Sequence, residues 1–204
     1  MKELIIGADY FPPYQYIDKD GEVKGSDYEF VKSIFDKLDY NIKFIIDDWS
    51  IIEKKFINGE IDVAFQVQKT KEREKIAFFS KKFRDAKTGI VTNNEILYKT
   101  IKKIEDIFNL EYFLGIIEGY KYGDVIDKID KNYKKYYSDS DELLKYLNSA
   151  EARLAVFDIG VLNNIKDNID RDIFVIDGLT FKRELFVMFK EEEVRDEFNK
   201  LIDK

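Results

Sequence analysis

A chain of 204 residues with 45% hydrophobic and 37% charged residues can bury an ample core and reads as globular rather than disordered. Its net charge of −7 argues against nucleic acid or an anionic membrane as the main partner, since both select basic surfaces. The absence of Cys and His removes thiol nucleophiles, disulfides, thiolate or imidazole metal sites and every His-based triad.

Any catalysis would have to use carboxylates, Lys, Tyr or Ser/Thr. A metal site would be all oxygen, and no Asp-rich loop of calcium-binding spacing occurs, so neither metal nor cofactor is expected. No apolar run approaches the ~18 residues of a membrane span. Met1-Lys2-Glu3 runs straight into a strand pattern, with no signal segment expected. The aromatic content of 15% is largely core, with some rings left to line a pocket.

Leu4 to Ala8 reads as a short buried strand. It leads into Asp9-Tyr10-Phe11-Pro12-Pro13-Tyr14, a proline-stiffened aromatic loop. That loop lies at the strand's C-terminal edge, where open α/β sheets bind ligands. Asp18 to Gly21 is a hairpin-like turn. Ser26 or Asp27 is placed to cap a helix through Leu38, with Phe30, Val31, Ile34, Phe35 and Leu38 on one face. Asn41 to Ile46 is a second strand. Asp47-Asp48-Trp49-Ser50 opens another amphipathic helix, apolar at Ile51, Ile52, Phe56 and Ile57.

Gly59-Glu60-Ile61-Asp62 then leads from a Gly turn into a third strand, an apolar run that breaks into a polar turn before Thr70. The polar turn after it carries Gln68 and Thr70, where Thr70 can cap one helical turn with Arg73 inside it. The order β-α-β-α-β predicts a parallel sheet with crossover helices. An Arg just past a buried strand, beside fresh backbone N–H groups, is suited to hold a carboxylate through two parallel hydrogen bonds. The plain alternative is a solvated surface charge. Only 6 of the 34 basic residues are Arg, so this sequence meets its need for surface charge with Lys. A scarce Arg at a strand end then points to the fork geometry of guanidinium.

Phe83 to Asn93 reads as extended and semi-buried, and the strand–helix alternation starts afresh near residue 90. Ile104 to Phe108 is a short helix. Tyr112 to Ile117 is a strand, followed by Gly119-Tyr120-Lys121 and a helix to about Ile129. Ser138 to Glu142 caps a helix to Leu147. Arg153 to Phe157 is a strand, and Asp158 starts the next helix. Ile173 to Ile176 and Lys182 to Phe189 are two further strands, and a terminal helix spans about Glu192 to Ile202. No linker and no 20–50-residue repeat occurs. Two lobes joined by extended crossovers fit this order: residues 1–87 with 179–204, and residues 88–178.

The chain resembles the family 3 extracellular solute-binding proteins, amino-acid receptors of ABC transporters with the type II periplasmic-binding-protein fold. The resemblance rests on Phe11-Pro12-Pro13-Tyr14, Gly21 to Asp27, Asp48-Trp49, Gly59-Glu60-Ile61-Asp62, Thr70-Lys71-Glu72-Arg73 with Phe79-Ser80, Gly115 to Gly123, and Val156-Phe157-Asp158. It implies an α/β fold of two lobes, each a mixed, mostly parallel sheet flanked by helices, hinged near Arg84–Lys87 and Asp177–Thr180.

It also implies a binding role rather than an enzyme. Arg73 would grip a ligand carboxylate, helped by backbone N–H groups near Thr70 and near Lys121 at the start of a helix. Asp158 would accept the ammonium, Phe11 and Trp49 would cover the ligand's body with Tyr14 in the same loop, and Asp9 would read its side chain. Gln68, Tyr120 and Lys121 depart from the small hydroxyl residues usual at these places. The implied partners are a small ligand, an amino acid first, and a transporter permease, with the protein a monomer outside the cytoplasm. Two alternatives stay open at this point: the sensor domain of a receptor kinase, and a cyclohexadienyl-dehydratase-like enzyme using Glu72 or Glu118.

Overall fold

The computed structural model describes residues 2–165 and 169–202. The chain forms two compact units, Met1–Asp85 with Glu184–Lys204, and Ala86–Arg183. Unit 1 runs β1 (Lys2–Asp9), β2 (Tyr16–Ile17), β3 (Val23–Lys24), α1 (Ser26–Phe35), β4 (Tyr40–Asp47), α2 (Trp49–Ile57), β5 (Val63–Val67), a 3-10 turn (Arg73–Lys75) and β6 (Phe78–Phe79). The strand β7 (Arg84–Thr92) carries the chain into unit 2. There follow α3 (Glu95–Thr100), α4 (Ile104–Asn109), β8 (Leu114–Ile117), α5 (Asp124–Asp127), β9 (Lys134–Tyr137), α6 (Ser140–Leu147), β10 (Leu154–Asp158) and α7 (Ile159–Ile165). Strand β11 (Phe174–Phe189) returns to unit 1, where α8 (Glu192–Asn199) follows.

In unit 1, β1 lies between β4 and β5, parallel to both, and β11 adds antiparallel to β5. Strands β1 and β4 end in register at Asp9 and Asp47. The loop after β1, the start of α2 and the turn after β5 therefore share one sheet edge, as parallel strands require. One face is sealed by Val31, Ile34 and Phe35 of α1 and Val194 and Phe198 of α8 against Leu4, Ile6, Phe65 and Phe189. Each such buried side chain is worth about 1.5–3 kcal/mol. Helix α2 covers the other face with Ile52 and Phe56, both fully buried. A Cβ at Gly7 would lie 2.7 Å from Ile61 and 3.2 Å from Ile52, so the glycine lets α2 approach the sheet closely.

In unit 2 the order is β11-β7-β10-β8-β9, with β10 antiparallel to β7 and parallel to β8. Ile90, Leu114, Ile116, Ile126, Leu154, Val156 and Ile176 form its core.

Several expectations are corrected. Neither Ser26 nor Asp27 caps α1. The loop before it does so instead: Pro13 and Tyr14 carbonyls accept from the amides of Ser26, Asp27 and Tyr28 at 2.9–3.3 Å. Gly25 makes that approach possible, with φ of 118° and no Cβ, which would sit 2.3 Å from the Tyr14 oxygen. Ile51 and Ile57 of α2 are exposed at 39% and 55%, so Trp49, Ile52 and Phe56 make its buried stripe. Helix α3 was not anticipated; the Asn94 side chain caps it by accepting from Leu97 N at 3.0 Å. The two strands expected within 173–189 are one strand of 16 residues. Gly178 takes φ of 77° inside this continuous strand.

Candidate functional site

The turn after β5 forms as its capping residue predicts. Arg73 N donates to Thr70 Oγ1 at 3.2 Å, and Glu74 N donates to the Thr70 carbonyl at 2.9 Å. Just before it, β5 carries an extra residue opposite β11, and Gln66 takes φ of 63°, unusual for a side chain of its size.

Arg73 is 7% exposed, far from the solvated alternative. Its Nε and Nη2 both donate to Glu53 Oε1, at 2.9 and 2.8 Å, and Nη1 donates to the Gln68 carbonyl at 3.1 Å. Its guanidinium lies 4.9 Å from the centre of the Trp49 ring, a cation–π contact. Guanidinium has five N–H donors, so Nη1 and Nη2 each keep one beyond these bonds. Trp49 Nε1 belongs to the ring this guanidinium stacks on, and Gln68 is the residue whose carbonyl Arg73 holds; Trp49 Nε1 and Gln68 Oε1 are buried and find no partner among the described residues. A buried polar atom left without a partner costs about 1–3 kcal/mol. The start of α2 and the turn after β5 thus bring Trp49, Glu53 and Arg73 together, with N–H groups of Arg73 uncommitted.

The loop after β1 builds a second polar group in unit 1. Asp9 is buried and accepts from Gln15 Nε2 at 2.7 Å. Gln15 Nε2 also donates to Gln66 Oε1 at 2.7 Å, which ties the end of β5 to this loop. Arg84 Nε and Nη2 donate to Asp27 Oδ2 at 3.0 and 2.9 Å, and the guanidinium lies 3.8 Å from the Tyr14 ring centre. One face of Tyr14 is thus taken by Arg84. Phe11 is 4% exposed and its ring lies 5.9 Å from that of Tyr14.

In unit 2, Asp158 Oδ1 accepts from Gly160 N at 2.9 Å and Val161 N at 3.2 Å, capping α7. Its Oδ2 accepts from Arg183 Nη2 at 3.4 Å, and Arg183 Nη1 donates to the Lys121 carbonyl at 3.2 Å. Arg183 Nε and the hydroxyl of Thr88, which pairs with Asp158 across β7 and β10, are buried without a described partner. Lys121 precedes the first residue of α5 by three, with Gly123 the cap, so its amide is not at a helix start as expected. Tyr120 packs on the unit 2 core, its ring 6.0 Å from Tyr122. Among the described residues no acidic cluster could hold a metal ion.

Sequence reasoning missed Glu53, Arg183, and the pair Asp27–Arg84. Glu53 follows Trp49 by four residues, one helical turn on the same face, which is a usable signal. The scarcity of Arg that singled out Arg73 applied equally to Arg183.

Residues 4–204 match the family model for bacterial extracellular solute-binding proteins, family 3. The chain belongs to that family. This solute-binding protein also resembles solved structures along nearly its whole length. Holo ArgBP from T. maritima superposes with a TM-score of 0.82 at 21% identity, covering 98% of this chain and 89% of that one. The arginine-, lysine-, histidine-binding protein ArtJ from Geobacillus stearothermophilus gives 0.83 at 17% identity, covering 99% and 88%. An ancestral arginine-binding protein bound to glutamine gives 0.81 at 25% identity, covering 100% and 91%. No curated protein sequence matches. The solute-binding protein therefore has the type II periplasmic-binding-protein fold expected from its motifs.

Proposed function

We propose that this solute-binding protein binds a free amino acid outside the cytoplasm, in the periplasm or at the cell surface, and delivers it as a monomer to an ABC transporter permease. The observation that carries this is the state of Arg73: buried, stacked on Trp49, and keeping one N–H on each of Nη1 and Nη2. A carboxylate would take both, next to the Thr70-capped turn that orients the backbone carrying Arg73. The similar solved proteins named above bind arginine, lysine, histidine or glutamine, which supports an amino acid as solute. The role is that of a receptor rather than an enzyme, in line with the binding proteins it resembles.

Binding protects a fold by mass action, so a solute at 100 times its Kd adds about 2.7 kcal/mol. A thermal-shift screen over the twenty L-amino acids is expected to show such protection for at least one. Arg73→Lys keeps the charge but loses the fork, and should weaken that binding by roughly 10- to 100-fold. Protection by none of the twenty would remove the reading, and unchanged affinity in Arg73→Lys would remove Arg73 from it.

A further inference from the structure

We propose that Arg183 is a built-in rival of the solute's ammonium: it pairs with the Asp158 carboxylate, and so sets how strongly unit 2 selects for an amino group. This rests on the amino-acid reading above, with Asp158 taking the ammonium as the family resemblance implies, and deepens it. The two oxygens of Asp158 divide their work. Oδ1 accepts from Gly160 N at 2.9 Å and Val161 N at 3.2 Å, so the start of α7 fixes the carboxylate without help from Arg183. Oδ2 accepts from Arg183 Nη2 at 3.4 Å. That is long against the roughly 2.7–2.9 Å of a charge-assisted bond.

Arg183 owes its place to other contacts. Nη1 donates to the Lys121 carbonyl at 3.2 Å, and the guanidinium lies 5.7 Å from the centre of the Tyr122 ring. That ring is buried and its hydroxyl accepts from Ile117 N at 2.9 Å, which makes it a fixed platform. A cation held this way stays beside Asp158 when Oδ2 is engaged by another donor. An arginine kept for the fold alone commonly spends its buried donors, yet Nε finds no partner among the described residues. The pair lies out of water, with side-chain exposures of 8% for Arg183 and 2% for Asp158, so its charges are poorly screened. An ammonium that bonds to Oδ2 therefore meets a guanidinium at the same oxygen. Two cations sharing one oxygen stand about 5 Å apart, and their repulsion weakens binding roughly 4-fold at the dielectric of water and more than about 100-fold at a dielectric near 20. A solute without the ammonium escapes that penalty.

The test pairs each L-amino acid that protects the wild type with the carboxylic acid in which hydrogen replaces its α-ammonium, and reads both by titration calorimetry. In Arg183→Gln, whose amide can still donate to the Lys121 carbonyl, the amino acid should bind roughly 10- to 100-fold tighter and the desamino acid should change by less than about 3-fold. Arg183→Lys restores a positive charge and should give back most of that gain. Arg183→Met is a second neutral variant with the same expected split, should the glutamine form fail to fold. Weaker amino-acid binding in the neutral variants would make Arg183 a support for Asp158, and an equal change in both probes would make it a support of the fold; either overturns the inference. If no L-amino acid protects the wild type, the amino-acid reading has failed and this inference with it, an outcome distinct from neutral variants that bind both probes as the wild type does, which overturns the inference alone.

Discussion

Asp27→Asn isolates the charge of one buried pair with almost no change in volume. Asp27 Oδ2 takes Arg84 Nε and Nη2 at 3.0 and 2.9 Å, with the Asp27 side chain 3% exposed and that of Arg84 20% exposed. Breaking a fully buried pair costs about 3–5 kcal/mol, because one charge is left uncompensated. Arg84 reaches some solvent, keeps its contact with Tyr14 and can still donate to an amide oxygen, which lowers that figure. Loss of a negative charge in the first turn of α1 adds about 0.3–1 kcal/mol. The expected loss is therefore about 2–3 kcal/mol, charged to unit 1. The chain has 1 Trp, Trp49, buried in unit 1, so its fluorescence in a urea titration reads that unit. With a slope of about 1.5 kcal/mol per molar for a unit of this size, the midpoint should fall by roughly 1.3–2 M. A midpoint within about 0.3 M of the wild type would show that solvent already screens the pair, and would refute the reasoning.

Gly25→Ala would force a side chain onto a φ of 118° and place its Cβ 2.3 Å from the Tyr14 carbonyl oxygen, a backbone atom that cannot step aside cheaply. The same fluorescence titration should show a loss of roughly 2–4 kcal/mol for unit 1. In unit 2, the Lys102 amide donating to Asp106 at 2.9 Å, with Lys103 at 3.1 Å, holds the Asp106 carboxyl below its usual range. A depressed carboxyl stabilises the fold above its unfolded pKa of about 4 and loses that contribution as pH falls through the folded value. Amide exchange at Lys102 and Lys103 should thus be faster in Asp106→Asn than in wild type at pH 7, with the gap closing as pH falls through the lowered folded value of Asp106.

Local pattern was enough for much of the fold. The spacing of Val31, Ile34 and Phe35 marked the buried stripe of α1, and the alternation of strands and helices from β1 to β5 set a parallel sheet. Thr70 three residues before Arg73 was readable as a capped turn, and scarcity of Arg marked Arg73 as more than surface charge. These are short-range features, written in residues a few places apart, so periodicity and propensity carry them.

What the guanidinium groups hold was decided by tertiary structure alone. Glu53 sits 20 residues from Arg73, Asp158 25 from Arg183, and Asp27 57 from Arg84. In a sequence, each of those carboxylates looks like any polar position of a helix or strand end. The capping of α1 by loop carbonyls and the unbroken course of β11 have the same origin. Both depend on which backbone groups the sheet edge and strand neighbours bring within hydrogen-bond reach. The sequence by itself determined where chain segments turn and which faces are apolar; packing determined which charges meet, because that requires distances between residues far apart along the chain.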